Sequence, residues 1–308
     1  MCLVAYYFVV LHKESSESSR YPLGHAMIWQ PNASLRLQFI VSFAAIERDF
    51  VAVPGALRYA RPGTSAAPHP GHTVREAAAK FPNGLAYFNA GEMGLLNFPL
   101  ILDGKLVTKP RPARSLRQRR WAPLYGDYTF FVQHPDGRVE IADLPLRDNQ
   151  LVQTLPQGTC AFSAPYILRN GEHVPLRTPP RGQPPNAQQV LFPGGETRAP
   201  ISALGLASGG DVVRVSLLGD LQHPDDLERL PTEQDLVDVL RRLNVVDALY
   251  TGASGDVQYY DRASGMLGIG RERAKSPDAQ WLLREGQTER GLTVIAALVA
   301  EGRQCRDV

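Results

Sequence analysis

Cysteine is scarce in this 308-residue chain, which has only Cys2, Cys160 and Cys305. An odd number at such wide spacing excludes a disulfide framework and offers no zinc-ligand pattern. An excess of one charge is also lacking. Thirty-three Lys and Arg stand against 31 Asp and Glu, a formal net charge of +2, so sequence-wide attraction to nucleic acid or to a membrane surface is not indicated. No apolar run is long enough for a bilayer-spanning helix. Cys2–Leu11 is too short, and it carries no preceding Lys or Arg and no small-x-small cleavage site. Leu35–Ile46 is interrupted by Arg36, Gln38 and Ser42. The strand, glycine-rich turn and helix of a P-loop or a dinucleotide fold are absent. The glycines of Gly265-Met-Leu-Gly-Ile-Gly270 fall at neither required spacing. Gly-x-Ser-x-Gly is missing, so nothing announces a nucleophile elbow. His69 and His72 flank Pro-Gly, which is not a ligand spacing on a regular element. Neither a metal site nor a cofactor is expected.

What is present is turn chemistry. Twenty-five prolines and 27 glycines predict a chain rich in strands and loops rather than a helical bundle. Hydrophobic content of 44% and charged content of 21% are ordinary for a soluble globular protein. The length suits one large domain or two ordinary ones. The polar stretch Lys13–Arg20 separates the two N-terminal apolar runs, and residues 1–50 read as an irregular extension. Residues 51–308 then form a single domain, since no second segment has its own composition and no repeat period is visible.

Thr73 with Glu76 three residues on has capping-box spacing, predicting a helix that ends near Pro82-Asn83-Gly84. A second helix is predicted from Thr232 to Leu243, where Leu236, Val239, Leu240 and Leu243 recur on one face. Leu85–Phe88 and Gly291–Ala300 read as strands, with helix as the alternative for the second because Ala and Leu are as frequent there as β-branched residues, and a further short strand fits Val51–Tyr59. Four hairpins are predicted: across Asp103-Gly-Lys105, His134–Gly137, Arg169-Asn-Gly171 and Ala207–Gly210. These elements predict a mixed α/β (α+β) domain, with largely antiparallel sheets built from hairpins and a few packed helices.

The segment Asp247–Tyr260 carries the most chemistry. It reads as a strand end, a Gly/Ser-rich turn and a return into an aromatic strand. Such a tip presents backbone N–H groups and short polar side chains to a ligand. The plainer alternative is a tight turn joining two strands.

The order of features resembles the phosphodiester glycosidase family. The residues that carry the likeness are Asn89-Ala-Gly91, Gly104-Lys105, Phe130-Phe131, Ser163-Ala-Pro165, Gly205 after Ile201-Ser-Ala, the helix at 232–243, and Asp247-Ala-Leu-Tyr250. The likeness spans roughly residues 51–300. It implies an N-acetylglucosamine-1-phosphodiester alpha-N-acetylglucosaminidase-like domain that removes a phosphate-linked sugar, with a secreted or periplasmic setting. The chain departs from the family where chemistry is expected. Gly252-Ala253 stands in place of Asp-Gly, Ser163-Ala164 in place of Ser-Gly, and Ile201 where an arginine is expected.

Cleaving a sugar–phosphate bond requires a carboxyl group for proton transfer and a cationic or N–H-rich cradle for phosphate. Asp256 restores a carboxylate within the final loop, against the alternative of a turn Asp bonding its own backbone. Glu92 sits beside Asn89-Ala-Gly91 at a strand end, where a general acid fits as well as an ordinary exposed glutamate does. Asn89, Gly91, Ser163, Gly252 and Ser254 are the candidate substrate-binding positions, with a cap on the strand turn as the alternative for Asn89. Arg198 is a candidate displaced phosphate ligand, against an ordinary exposed loop arginine. The basic run from Lys105 to Arg120, followed by Trp121, suits sugar phosphate or a nucleic-acid backbone, with a solvated basic loop as the default. Hydrolysis of a phosphate-linked sugar is the first function expected, binding of one by a catalytically degenerate member the second, and a structural protein that keeps the fold without ligand the third. The partner is a small sugar phosphate or glycan, with no nucleic acid and no stable membrane span.

Overall fold

The computed structural model describes residues 4–11, 21–32, 34–41, 73–90, 99–106, 111–112, 121–122, 126–148, 150–177, 198–219, 230–253, 257–263, 265, 267–269, 292 and 294–300. The strand expected at Val51–Tyr59, the loop holding His69 and His72, the proline-rich stretch 178–197 and most of the basic run at 107–120 lie outside the described residues.

Three strands come first: β1 (Val4–Leu11), β2 (Tyr21–Trp29) and β3 (Leu35–Val41). Helix α1 (Val74–Lys80) and β4 (Gly84–Asn89) follow, then β5 (Leu100–Leu102), β6 (Lys105–Leu106), β7 (Arg111–Pro112) and β8 (Trp121–Ala122). Next are β9 (Gly126–Gln133), β10 (Val139–Arg147), β11 (Gln150–Leu151), β12 (Cys160–Ser163), β13 (Tyr166–Arg169) and β14 (Glu172–His173). The chain continues with β15 (Ile201–Ala207), β16 (Val212–Leu217), helix α2 (Glu233–Arg242) and β17 (Val245–Ala253). It ends in β18 (Gln258–Asp261), β19 (Leu267–Ile269) and β20 (Val294–Ala300).

These strands build a seven-stranded sheet (β1-β2-β16-β15-β17-β13-β14), a six-stranded sheet (β11-β10-β9-β12-β5-β6) and a five-stranded sheet (β19-β18-β4-β20-β3), with β7 and β8 as a separate pair. The four expected hairpins all form, as β5–β6, β9–β10, β13–β14 and β15–β16. Every ladder between the described strands is antiparallel.

The mixed α/β (α+β) expectation is therefore corrected to a predominantly antiparallel β fold. Among the described residues there are two helices, of seven and ten residues. Their capping boxes are strong local signals, but neither helix serves as a crossover between parallel strands. Each instead covers the outer face of a sheet.

Helix α2 shows how this works. Thr232 accepts from the Asp235 N–H while Asp235 accepts from the Thr232 N–H, which satisfies two N-terminal donors. Leu236, Val237 and Leu240 then bury fully against Val213, Val215 and Tyr250 of the seven-stranded sheet. Burial of each such side chain contributes roughly 1.5–3 kcal/mol. Helix α1 does the same with Val74 and Ala77 against Tyr87 and Ile295 of the five-stranded sheet.

Between the sheets lies the central core. Met27, Trp29 and Leu204 of the seven-stranded sheet meet Phe88 and Leu298 of the five-stranded sheet, and Phe131 and Phe162 of the six-stranded sheet. Alternation along β16 sends Val213, Val215 and Leu217 to the helix side and Val212 to the central core. By the same period of two, Arg214 and Ser216 share the face of Val212.

Candidate functional site

A row of polar side chains crosses the inner face of the seven-stranded sheet. His25 on β2 pairs with Ser216 on β16, Ser216 with Ser202 on β15, and Ser202 with Gly252 on β17. Directly paired residues point to the same face, so register alone assembles this row. His25, Ser216, Ser202 and neighbouring Thr251 are all buried. The β2–β16 approach is close. A Cβ on Gly24 would come within 2.1 Å of the Ser216 carbonyl oxygen, so only glycine fits there.

The ladder between β15 and β17 slips at this level. Ala203 pairs with Tyr250 and Ser202 with Gly252, leaving Thr251 as the extra residue of a bulge. Gly252 takes a φ of 154°, a conformation that the missing Cβ permits. Ser202 Oγ lies 3.0 Å from Thr251 Oγ1 and donates to the Gly252 carbonyl at 3.2 Å.

Asn89, at the end of β4, reaches this bulge from the five-stranded sheet. Its Nδ2 donates to the Thr251 carbonyl at 2.8 Å and to Ser202 Oγ at 3.4 Å. Its Oδ1 accepts from Arg214 Nη2 at 2.7 Å and from the Gln258 N–H at 3.4 Å. Two donors and two acceptor sites are all a side-chain amide has, and all four are used within the protein.

Arg214 is the enclosed cation of the cluster. Its Nη1 donates to the carbonyls of Ala203 and Val215, and its guanidinium lies 5.3 Å above the Phe88 ring. Burial lowers its pKa to about 9, with Tyr259 partly opposing, so it remains charged at neutral pH. Opposite it, His25 stacks on Tyr259 with ring centroids 4.7 Å apart. Burial depresses His25 to about 4, opposed by Asp261 and assisted by Arg214. Burial lifts the Tyr259 phenol to about 12, with Arg214 pulling it down and Asp261 pushing it up. A neutral imidazole and a neutral phenol thus stack beside a buried guanidinium. Arg214 Nε and Ser216 Oγ, on one strand face, have no hydrogen-bond partner among the described residues.

Of the positions expected from sequence, the structure brings Asn89 and Gly252 into this cluster. Ser163 is buried at the end of β12. Its N–H donates to the Pro99 carbonyl, while its Oγ has no partner among the described residues. Arg198 stands apart from the cluster's hydrogen bonds. Its Nη1 donates to the Leu230 carbonyl at 3.1 Å, tying the start of β15 to the approach of α2. Gly91, Glu92, Ser254 and Asp256 lie outside the described residues. β17 and β18 belong to different sheets and do not pair with each other.

Arg214 and His25 escaped the sequence reading. The available signal was an arginine inside the apolar run Val212-Val-Arg-Val-Ser-Leu217, and a histidine inside Leu23-Gly-His-Ala-Met-Ile-Trp29. A charged or titratable residue facing inward from a central strand requires a partner. Among the described residues, no group of His, Cys, Asp and Glu is arranged to hold a metal ion. No described helix is long and apolar enough to cross a membrane.

No family model and no curated protein matches the chain. Solved structures do match, among them the following three. The catalytic domain of zebrafish N-acetylglucosamine-1-phosphodiester alpha-N-acetylglucosaminidase, auto-inhibited by its pro-peptide, matches with a TM-score of 0.55 at 13% identity, covering 97% of this chain and 84% of that one. The likeness is one of fold. A protein from Burkholderia pseudomallei matches with a TM-score of 0.47 at 12% identity over 92% of this chain and 75% of that one. A hypothetical protein from Synechocystis matches at 0.44 and 11% over 97% and 62%.

Proposed function

We propose that this chain is a phosphodiester-glycosidase-like protein that hydrolyses or binds a phosphate-linked sugar of the N-acetylglucosamine-1-phosphodiester type. The observation that carries the reading is the fold match, over 97% of the chain, to a catalytic domain of that activity. The order of sequence features supports it independently. In the hydrolytic form, a carboxyl group on Asp256 or Glu92 protonates the phosphate oxygen as the anomeric C–O bond breaks. Water adds to the anomeric carbon and loses its proton, leaving free sugar and a phosphate monoester. Arg198 and the N–H groups around Gly252 and Ser254 hold phosphate, and Asn89, Gly91 and Ser163 border the sugar.

A second reading is a catalytically degenerate binding module on the same fold. It is favoured by the Gly252 position, where the family resemblance calls for a carboxylate and this chain has none. The test is release of free N-acetylglucosamine from UDP-N-acetylglucosamine and related sugar-1-phosphodiesters by purified protein, across acid to alkaline pH. Release that either Asp256→Asn or Glu92→Gln abolishes supports the hydrolase. Saturable binding without release supports the module, and neither binding nor release sinks both.

A further inference from the structure

The two ends of the Asn89 amide differ chemically, and its surroundings admit one way to place them. A guanidinium only donates, so the 2.7 Å contact from Arg214 Nη2 puts the amide oxygen on that side. The amide nitrogen must then face the Thr251 carbonyl, 2.8 Å away. Thr251 is the bulged residue of β17, set outside the regular β15–β17 pairing. Its carbonyl therefore takes its hydrogen bond from a side chain on another sheet. Ser202 closes the bulge from the opposite strand through Thr251 Oγ1 and the Gly252 carbonyl. Asn89, Ser202, Arg214 and Thr251 are all buried, so water does not substitute for any of these bonds.

The geometry points to Arg214 as a positioning residue for the sugar-phosphate site. By setting the orientation of Asn89, it holds the Thr251–Gly252 bulge and with it the direction in which β17 delivers Gly252. This inference rests on the proposed function, in which Gly252 belongs to the phosphate-binding segment. Arg214 itself does not touch ligand. Its guanidinium is enclosed, and it acts through Asn89.

The decisive variant is Asn89→Asp. A carboxylate keeps an acceptor for Arg214 but has no donor for Thr251. Hydrogen–deuterium exchange of the peptide covering Tyr250–Ala253 is expected to rise about tenfold, the worth of one ordinary hydrogen bond. Peptides in α2 and β20 should exchange as in the wild type. Binding of UDP-N-acetylglucosamine should weaken by a similar factor. Arg214→Lys, which retains a cationic donor for Asn89, should exchange close to wild type, and Arg214→Met should not. The two Arg214 variants carry the test if Asn89→Asp fails to fold. Unchanged exchange at 250–253, a uniform rise across the chain, or a local rise with unaltered ligand affinity would each overturn the positioning role. The function beneath it is judged separately. Wild-type protein that neither binds nor cleaves any sugar-1-phosphodiester removes the proposed function, whatever the exchange shows.

Discussion

Arg214 Nη2 lies 2.7 Å from Asn89 Oδ1, and that bond joins β16 of the seven-stranded sheet to β4 of the five-stranded sheet. The two residues are 125 positions apart and meet where both strands are buried. The contact is charge-assisted and enclosed, so removing one partner strands the other. Asn89→Leu leaves Arg214 Nη2 without an acceptor and the Thr251 carbonyl without a donor. A loss of about 3–5 kcal/mol in unfolding free energy is expected from urea titration. The pair Asn89→Leu with Arg214→Met should cost less than the sum of the single changes by about 1 kcal/mol or more. Strict additivity would show that the two side chains are not coupled.

Gln133 performs a comparable task at a sheet edge. Its Oε1 accepts from the Leu37 N–H at 2.7 Å and its Nε2 donates to the Leu37 carbonyl at 2.8 Å. The side-chain amide thereby acts as one residue of a further strand beside β3, the edge of its sheet. Gln133→Met should cost about 2–4 kcal/mol, because it leaves a buried N–H and C=O unpaired. A change below about 0.5 kcal/mol, typical of surface sites, would mean that the edge is satisfied in another way.

His25 makes stability depend on pH. Its folded pKa of about 4 lies below the ordinary 6.5, so the folded state binds fewer protons than the unfolded chain between those values. Its contribution is fully present above pH 6.5 and is lost as pH falls towards 4. The total is on the order of 3 kcal/mol. His25→Phe, which keeps a ring against Tyr259, should flatten the fall in melting temperature over that window. A variant that loses stability on acidification as steeply as the wild type would exclude His25 as the source.

The proposed site makes its own demands. Arg198→Ala should weaken a sugar-phosphate ligand by about 1–3 kcal/mol, the range for a charged hydrogen bond. Calorimetry showing unchanged affinity would remove Arg198 from the phosphate site and leave it as the Leu230 staple. Asp256→Asn should abolish turnover while sparing the melting temperature. Undiminished turnover would remove Asp256 as the acid.

Local chemistry was legible in the residues themselves. Thr73 with Glu76 was readable as a cap because the bonded groups lie within one turn, and Thr232 with Asp235 forms the same arrangement. Asp103-Gly104 and Asn170-Gly171 take positive φ, and these turns pair the strands that flank them. The fold class was misjudged because two well-capped helices weigh heavily in a linear reading. Pairing adds the strands of residues 4–41 and sends both helices to outer faces, and pairing is not a local property.

The sequence by itself determined the hairpins, the capped helices and the apolar faces, since each depends on residues a few positions apart. Only the tertiary structure decided that His25, Asn89, Ser202, Arg214 and Thr251 share one buried cluster. Strand order and a one-residue bulge set those neighbours, and both are settled by packing between sheets. A linear pattern records an arginine within an apolar run, but neither that it faces the central core nor which amide meets it.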